Sequence, residues 1–299
     1  MNPLDFDKIS LDQLRPGNSG SEPVEFYILR LDKVHAEISG NKWFKLRYYI
    51  DDAIVQQKKT IVTYGGAWSN HLLATAAFCR AKNLHAVGIV RGEKPIQLSY
   101  TLKKATESGM ELFFISRTDF QKKIMPAELT SVLQHAYIVD EGGYGNLGMK
   151  GAATISGYYK QKEFSHICCA VGTGTMMAGL LNAASSHQKI IGFSVLKNNH
   201  SVTKEIETLV PGKEMENHTV IHNYHFGGYA KKNEELINFM NKLYGSTNIP
   251  TDFVYTGKMF YGVFDLAAKD FFAPGSRVLL IHSGGLQGNN SLPKGTLIF

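Results

Sequence analysis

Short runs of uninterrupted apolar residues alternate along this chain with segments of helical periodicity. Each run ends at a glycine or a polar turn. Thr60-Ile-Val-Thr-Tyr64 stops at Gly65-Gly66, and Ser165-His-Ile-Cys-Cys-Ala-Val171 stops at Gly172. A strand half exposed to water alternates apolar and polar residues; these runs do not, so both of their faces are buried, as in a parallel sheet. Further strands are predicted at 85–90, 110–115, 136–139, 189–196 and 277–282. Helices are predicted at 69–82, 96–108, 146–162, 175–185, 201–209, 231–243 and 260–272. Strands alternating with helices require mostly parallel sheets flanked by helices. The series restarts after Gly142-Gly143. The expectation is an α/β fold of two domains, a smaller one at 48–145 and a larger one built from 1–47 plus 146–299.

Composition removes several classes of function. The chain has 299 residues, 43% hydrophobic and 19% charged, an ordinary balance for a packed protein. Its net charge of +6 is spread along the sequence, and Lys103-Lys104 and Lys122-Lys123 are short runs, so no basic stripe suited to nucleic acid is expected. Three cysteines, Cys79, Cys168 and Cys169, show no metal spacing and read as buried thiols in a reducing compartment. Met1-Asn-Pro-Leu-Asp-Phe-Asp7 has neither a basic start nor an apolar run. No apolar stretch approaches the roughly 20 residues that span a bilayer. The expectation is a cytoplasmic protein without membrane or nucleic-acid partners and without a metal.

In open α/β sheets, ligands gather at the carboxyl ends of strands, and the glycine-rich turns fall there. Gly172-Thr-Gly-Thr175 follows a buried strand and opens a helix, a place where backbone N–H groups and the helix dipole favour an anion such as phosphate. A dinucleotide site would need an acidic residue near the end of the next strand, which instead ends Leu196-Lys197-Asn198. The third glycine of that fingerprint is also missing, since position 177 is Met, and no Gly-Lys-Ser/Thr follows for a nucleotide-triphosphate loop. Gly65-Gly-Ala-Trp-Ser-Asn-His71 ends in Ser69 and Asn70, either of which can cap a helix whose N-terminus would also take a carboxylate. Lys42 in Ser39-Gly-Asn-Lys-Trp-Phe-Lys45 is a candidate amine nucleophile. Lys45, three residues on and on the same helical face, could lower its pKa by its charge. Tyr255 follows the apolar Phe253-Val254, and His282-Ser-Gly-Gly285 closes the last strand.

In this order, the motifs resemble those of the pyridoxal-phosphate-dependent 1-aminocyclopropane-1-carboxylate deaminase and D-cysteine desulfhydrase family, of tryptophan synthase β-type fold. The resemblance runs from about Pro23 to Gly288. It implies that Lys42 forms the Schiff base and that the larger domain binds pyridoxal 5'-phosphate. Gly172, Thr173, Gly174 and Thr175 would hold the phosphate, with Asn70 and Thr256 as further cofactor contacts. Ser69, Asn70 and His71 would bind the substrate carboxylate, with Ser69 also a candidate proton acceptor and Tyr255 a catalytic tyrosine. Lys45, Trp68, Tyr229 and Ser283 complete the implied substrate contacts. A small amino-acid substrate and a homodimer are the implied partners.

Two positions bear on the substrate. The deaminase pattern has a glutamate after the tyrosine and a leucine after the last-strand histidine; here these are Thr256 and Ser283, hydroxyl residues as in the desulfhydrase pattern. A carboxylate beside the pyridine nitrogen would make the ring a stronger electron sink, as opening a cyclopropane requires. The expectation is therefore β-elimination to a 2-oxo acid and ammonia. Ring opening of the cyclopropane acid to 2-oxobutyrate, and phosphate-ligand binding without turnover, stay open. Trp68 stands where that family usually has glutamine, so the pocket is expected to be reshaped there.

Overall fold

The computed structural model describes residues 5–14, 23–35, 40–212 and 217–299. Ser39 and Met1 to Leu4, which entered the reading above, lie outside them. Two sheets organise the fold. The smaller has the order β5-β4-β3-β6, from β3 (Thr60–Gly65), β4 (His85–Arg91), β5 (Met110–Ile115) and β6 (Ala136–Val139), all parallel. The larger contains β1 (Leu11–Leu14), β2 (Glu25–Arg30), β7 (His166–Val171), β8 (Lys189–Ser194), β9 (His218–Ile221) and β10 (Arg277–His282), in the order β1-β2-β10-β7-β8-β9. Only the edge pair β1–β2 is antiparallel among these strands.

The apolar runs are continuous because each strand feeds two cores. Leu29, Ile167, Cys169, Val171 and Leu279 pack on one side of the larger sheet, while Ile28, Cys168, Ala170, Val278 and Leu280 pack on the other. Adjacent residues thus point to opposite cores, the two-residue period of a strand. All three cysteines are buried and unbonded, and burial raises each thiol pKa. Among the described residues, no helix is long and apolar enough to cross a membrane.

Helices cover both sheets: α1 (Asn41–Val55), α2 (Asn70–Ala81), α3 (Tyr100–Glu107), α4 (Arg117–Gln121), α5 (Thr130–Leu133), α6 (Asn146–Ala153), α7 (Thr175–Ala183), α8 (Ser201–Leu209), α9 (Glu234–Thr247) and α10 (Thr256–Ala267). Several depart from the sequence reading. The helix expected at 96–108 starts only where the Ser99 hydroxyl accepts from Leu102 N and caps it. The one expected at 146–162 gives way after Ala153 to a tighter helical turn, Thr154–Tyr158. The last helix begins at Thr256 rather than 260, because a carboxylate at Asp252 accepts its first N–H groups.

Helix α1 spans the boundary expected at 47/48. Phe44 packs in the core of the larger sheet, whereas Trp43, Leu46, Ile50 and Ala53 pack in that of the smaller. Its contact with α6 is backbone to backbone: a Cβ on Gly151 would overlap the carbonyl oxygen of Phe44. Helix α1 would then have to retreat, and with it Lys42. Gly151→Ala should destabilise the fold by about 1–3 kcal/mol, the usual penalty of overpacking, read as a lower urea midpoint. An unchanged midpoint would show that the α1–α6 approach is loose.

Candidate active site

The carboxyl ends of both sheets open on one cavity of about 220 Å³. Lys42 and Lys45 reach it from the first turns of α1, Ser69, Asn70 and His71 from the turn after β3, Gly172 to Thr175 from the turn after β7, Tyr229 from a loop after β9, Tyr255 from the start of α10, and Ser283 from the end of β10. Two expected residues stand apart from its lining. Trp68 is half-buried on the turn before Ser69, and Thr256 is buried behind Tyr255. Asn41, Arg91 and Glu141 also line the cavity, and the sequence reading did not single them out.

The electrostatics of the two lysines differ from expectation. Lys42 Nζ donates to Asn41 Oδ1 at 3.3 Å and lies 5.8 Å from the centre of the Tyr255 ring. Desolvation lowers its pKa to about 8, while the negative charge of Asp252 opposes the fall. Lys45 is not the cause. It is itself buried, and desolvation first, then the charge of Lys42, push its pKa well below 10.5. Two ammonium groups in one dry pocket repel. Lys45, the more deeply buried of the two, is therefore the harder to keep charged.

Ser69 is the cap of α2: its hydroxyl oxygen accepts from Leu72 N at 3.3 Å. Asn70 Oδ1 accepts from Gln287 Nε2, tying the turn to the segment after β10. His71 has a defined tautomer. Thr63 Oγ1 donates to the carbonyl of Val139 at 2.7 Å, so it must accept from His71 Nε2, 2.8 Å away. His71 Nδ1 is then a bare lone pair, buried and without a partner. Burial, with Lys42 and Lys45 nearby, keeps the ring neutral. Such a ring accepts a donor, so a carboxylate at this turn would meet the backbone N–H of His71 in the first turn of α2 and not its ring.

Helix α7 starts at Thr175 with Gly174 as its cap, pointing its unpaired first N–H groups at the cavity. Thr173 Oγ1 and Thr175 Oγ1 lie 3.0 Å apart in the same wall. Opposite stands Tyr255. Burial holds its hydroxyl protonated far above the usual tyrosine range, and Tyr229, with which it shares a hydrogen bond, adds to the effect. The two rings meet edge to face, centres 6.0 Å apart.

Thr256, expected to face a pyridine nitrogen, is otherwise engaged. Its hydroxyl donates to Asp252 Oδ1 at 2.7 Å and accepts from Asp252 N at 2.8 Å. Asp252 also accepts from the backbone N–H groups of Val254, Tyr255 and Thr256, which fixes Tyr255 at the cavity wall. A second buried network sets Ser283. Arg30 donates to both oxygens of Asp32 at 2.8 and 2.7 Å, and His282 Nδ1 lies 3.4 Å from Asp32. His282 Nε2 faces the carbonyl of Pro250 at 2.6 Å, an acceptor only, so that nitrogen carries the proton. Although burial raises Asp32, His282 and Arg30 hold it below its usual value.

These residues fit pyridoxal phosphate. The α7 start and its threonines offer donors to a phosphate, Lys42 offers an amine to an aldehyde, and the orphaned His71 Nδ1 awaits a donor. Among the described residues, no cluster of three or more His, Cys, Asp or Glu could hold a metal ion. Comparison with known proteins agrees on the cofactor. The model of the family described as pyridoxal-phosphate dependent enzyme matches residues 16–284. A Pyrococcus abyssi protein, provisionally named a 1-aminocyclopropane-1-carboxylate deaminase, is 30% identical over 295 residues, covering 92% of this chain and 89% of its own. The mitochondrial bifunctional D-cysteine desulfhydrase/1-aminocyclopropane-1-carboxylate deaminase of Arabidopsis thaliana is 29% identical, over 89% of this chain and 73% of its own. A crystal structure of an ACC deaminase homologue superimposes with a TM-score of 0.78 at 28% identity, covering 89% of this chain and 86% of that one. A family match over nearly the whole length, on a cavity built for this cofactor, means that the chain belongs to the pyridoxal-phosphate-dependent enzymes.

Proposed function

We propose that this enzyme is a deaminating lyase that eliminates the β-substituent of a small amino acid, D-cysteine foremost, and releases a 2-oxo acid and ammonia. The observation that carries the reading is the convergence of Lys42, the Ser69 helix start, the Gly172–Thr175 turn and Tyr255 on one cavity. Bound pyridoxal phosphate would supply an aldehyde and an electron-accepting ring. Lys42 would hold the cofactor by its amine, and the start of α7 would hold the phosphate. Ser69 and Asn70, with the N-terminus of α2, would receive the substrate carboxylate. Lys42, with a pKa of about 8, is better suited than the Ser69 hydroxyl to take the α-proton near neutrality. Tyr255, kept protonated by burial, would donate to the departing group.

Elimination is favoured over ring opening because, among the described residues, Glu141 at the rim is the only acid lining the cavity. Ser283 supplies a hydroxyl where the resemblance leads one to expect it. Ring opening is the second reading, supported by the names of the Pyrococcus and Arabidopsis relatives. A homodimer in the cytoplasm, and domains divided at 48–145, belong to the same proposal.

Pure protein with pyridoxal phosphate should absorb near 420 nm, an approximate value for the lysine-bound cofactor. Adding D-cysteine should shift the band and release pyruvate. A shift that yields 2-oxobutyrate from 1-aminocyclopropane-1-carboxylate, and no pyruvate from D-cysteine, would replace elimination by ring opening. A band with no product from either would replace both with binding alone. Lys42→Ala should lose the band and turnover together; normal turnover in that variant would remove Lys42 from its role.

The same lysine makes a prediction about pH. Its folded-state pKa is about 8 against 10.5 for a free side chain, so between these values the unfolded chain binds more protons and folding stability rises with pH. Below about pH 8 the unloaded protein confines an ammonium that Lys42→Met would remove. The stability gained by Lys42→Met should therefore be largest below pH 8 and fade toward pH 10. A gain independent of pH, from urea unfolding at several pH values, would contradict the depressed pKa.

A further inference from the structure

Lys258 is among the largest side chains with no exposure at all, and the elimination chemistry makes no use of it. It lies on the first turn of α10, three residues past Tyr255. An ammonium withdrawn from water needs acceptors in fixed places. Lys258 Nζ donates to the carbonyl oxygen of His225 at 2.8 Å and to that of Gly228 at 2.7 Å.

Both acceptors belong to the turn that carries Tyr229. Phe226, Gly227, Gly228 and Ala230 all have positive φ, from 50° to 115°. So many left-handed residues in five positions need outside support, since each non-glycine among them is strained. Within the turn, Gly228 N donates to His225 O at 3.0 Å and Lys231 N to Gly228 O at 3.1 Å. The two carbonyls that close the turn are therefore the two that meet the ammonium. Tyr229 follows Gly228 directly, and its ring packs against Tyr255, the residue at which α10 begins. One side chain thus joins the two segments that bring the two tyrosines to the cavity.

We infer that Lys258 is a positioning residue, a built-in cation that clamps the turn at 225–230 to α10 and so sets Tyr229 against Tyr255. It does not line the cavity and acts through Tyr229. The inference rests on the proposed function only for the substrate used in one of its assays.

Four holoenzymes test it: wild type, Lys258→Met, Lys258→Gln and Lys258→Ala. Lys258→Met keeps the length but removes charge and donors. Its kcat on D-cysteine should fall about 10- to 100-fold, the scale of a small misplacement at a reacting centre, with a much smaller change in KM. Lys258→Gln, which keeps two N–H donors, should recover part of the rate. Lys258→Ala should be rescued by added propylammonium but not by propanol. Trypsin reports on the clamp without turnover: cleavage after the exposed Lys231 and Lys232 should quicken in Lys258→Met and Lys258→Ala and slow again with propylammonium. If wild type does not act on D-cysteine, the elimination reading fails and proteolysis still decides the clamp. Wild-type kcat with wild-type cleavage in Lys258→Met would overturn the inference. So would a loss of rate that neither glutamine nor propylammonium relieves. Should Lys258→Met not fold, the Gln variant and the propylammonium series give the same decision.

Discussion

The carboxylate of Asp252 is the charge around which the site is assembled. It has no exposure to water, and burial raises its pKa despite four hydrogen bonds, three from backbone N–H groups and one from Thr256. A lone buried carboxylate would take up a proton. Here two amines stand against it, since Asp252 favours the charged forms of both Lys42 and Lys258, and His282 adds its own field. The same oxygens also start α10 and hold Tyr255 in the cavity wall. Charge balance and backbone geometry thus meet in one side chain. Losing it would leave two buried amines uncompensated and the helix start unsatisfied.

Much of the fold was legible because parallel strands buried on both faces leave a strong trace. Ser165 to Val171 and Thr60 to Tyr64 gave their strands within a residue or so of β7 and β3. The turns after them were legible for a related reason: glycine and small polar residues between a buried strand and a helix have few other uses. Hence Lys42, Ser69, Asn70, Gly172 to Thr175, Tyr255 and Ser283 come together on one cavity. What failed was local reasoning about partners. The lowered pKa of Lys45 depends on its depth, and the tautomer of His71 on Val139, 68 positions later in the chain. Neither is encoded in spacing.

Other misses had no local signal. Strand β1 is a half-buried edge and β9 a four-residue strand, too short for periodicity to separate from a loop. Arg91 ends a strand, where a cation looks like ordinary punctuation. Glu141 sits at a tight turn of glycines. Asp252 was given no role in the sequence reading, since its hold on the N–H groups of Val254, Tyr255 and Thr256 shows only in three dimensions. With α10 starting at Thr256, that residue lies behind the wall instead of in it.

That displacement of Thr256 changes how substrate preference should be reasoned. A hydroxyl whose proton goes to Asp252 and whose oxygen already accepts from Asp252 N retains only acceptor capacity. Such a group can meet a protonated nitrogen but cannot donate to a neutral one. The simple opposition between a glutamate that protonates the ring and a threonine that leaves it neutral does not hold for this arrangement. The carboxylate nearest this threonine, Asp252, is spent on Thr256 and on the backbone that starts α10. What the cavity itself presents is a set of polar walls: tyrosines kept protonated by burial on one side, two lysines of lowered pKa beside the Ser69 turn, and Glu141 as the one acid among the described lining residues.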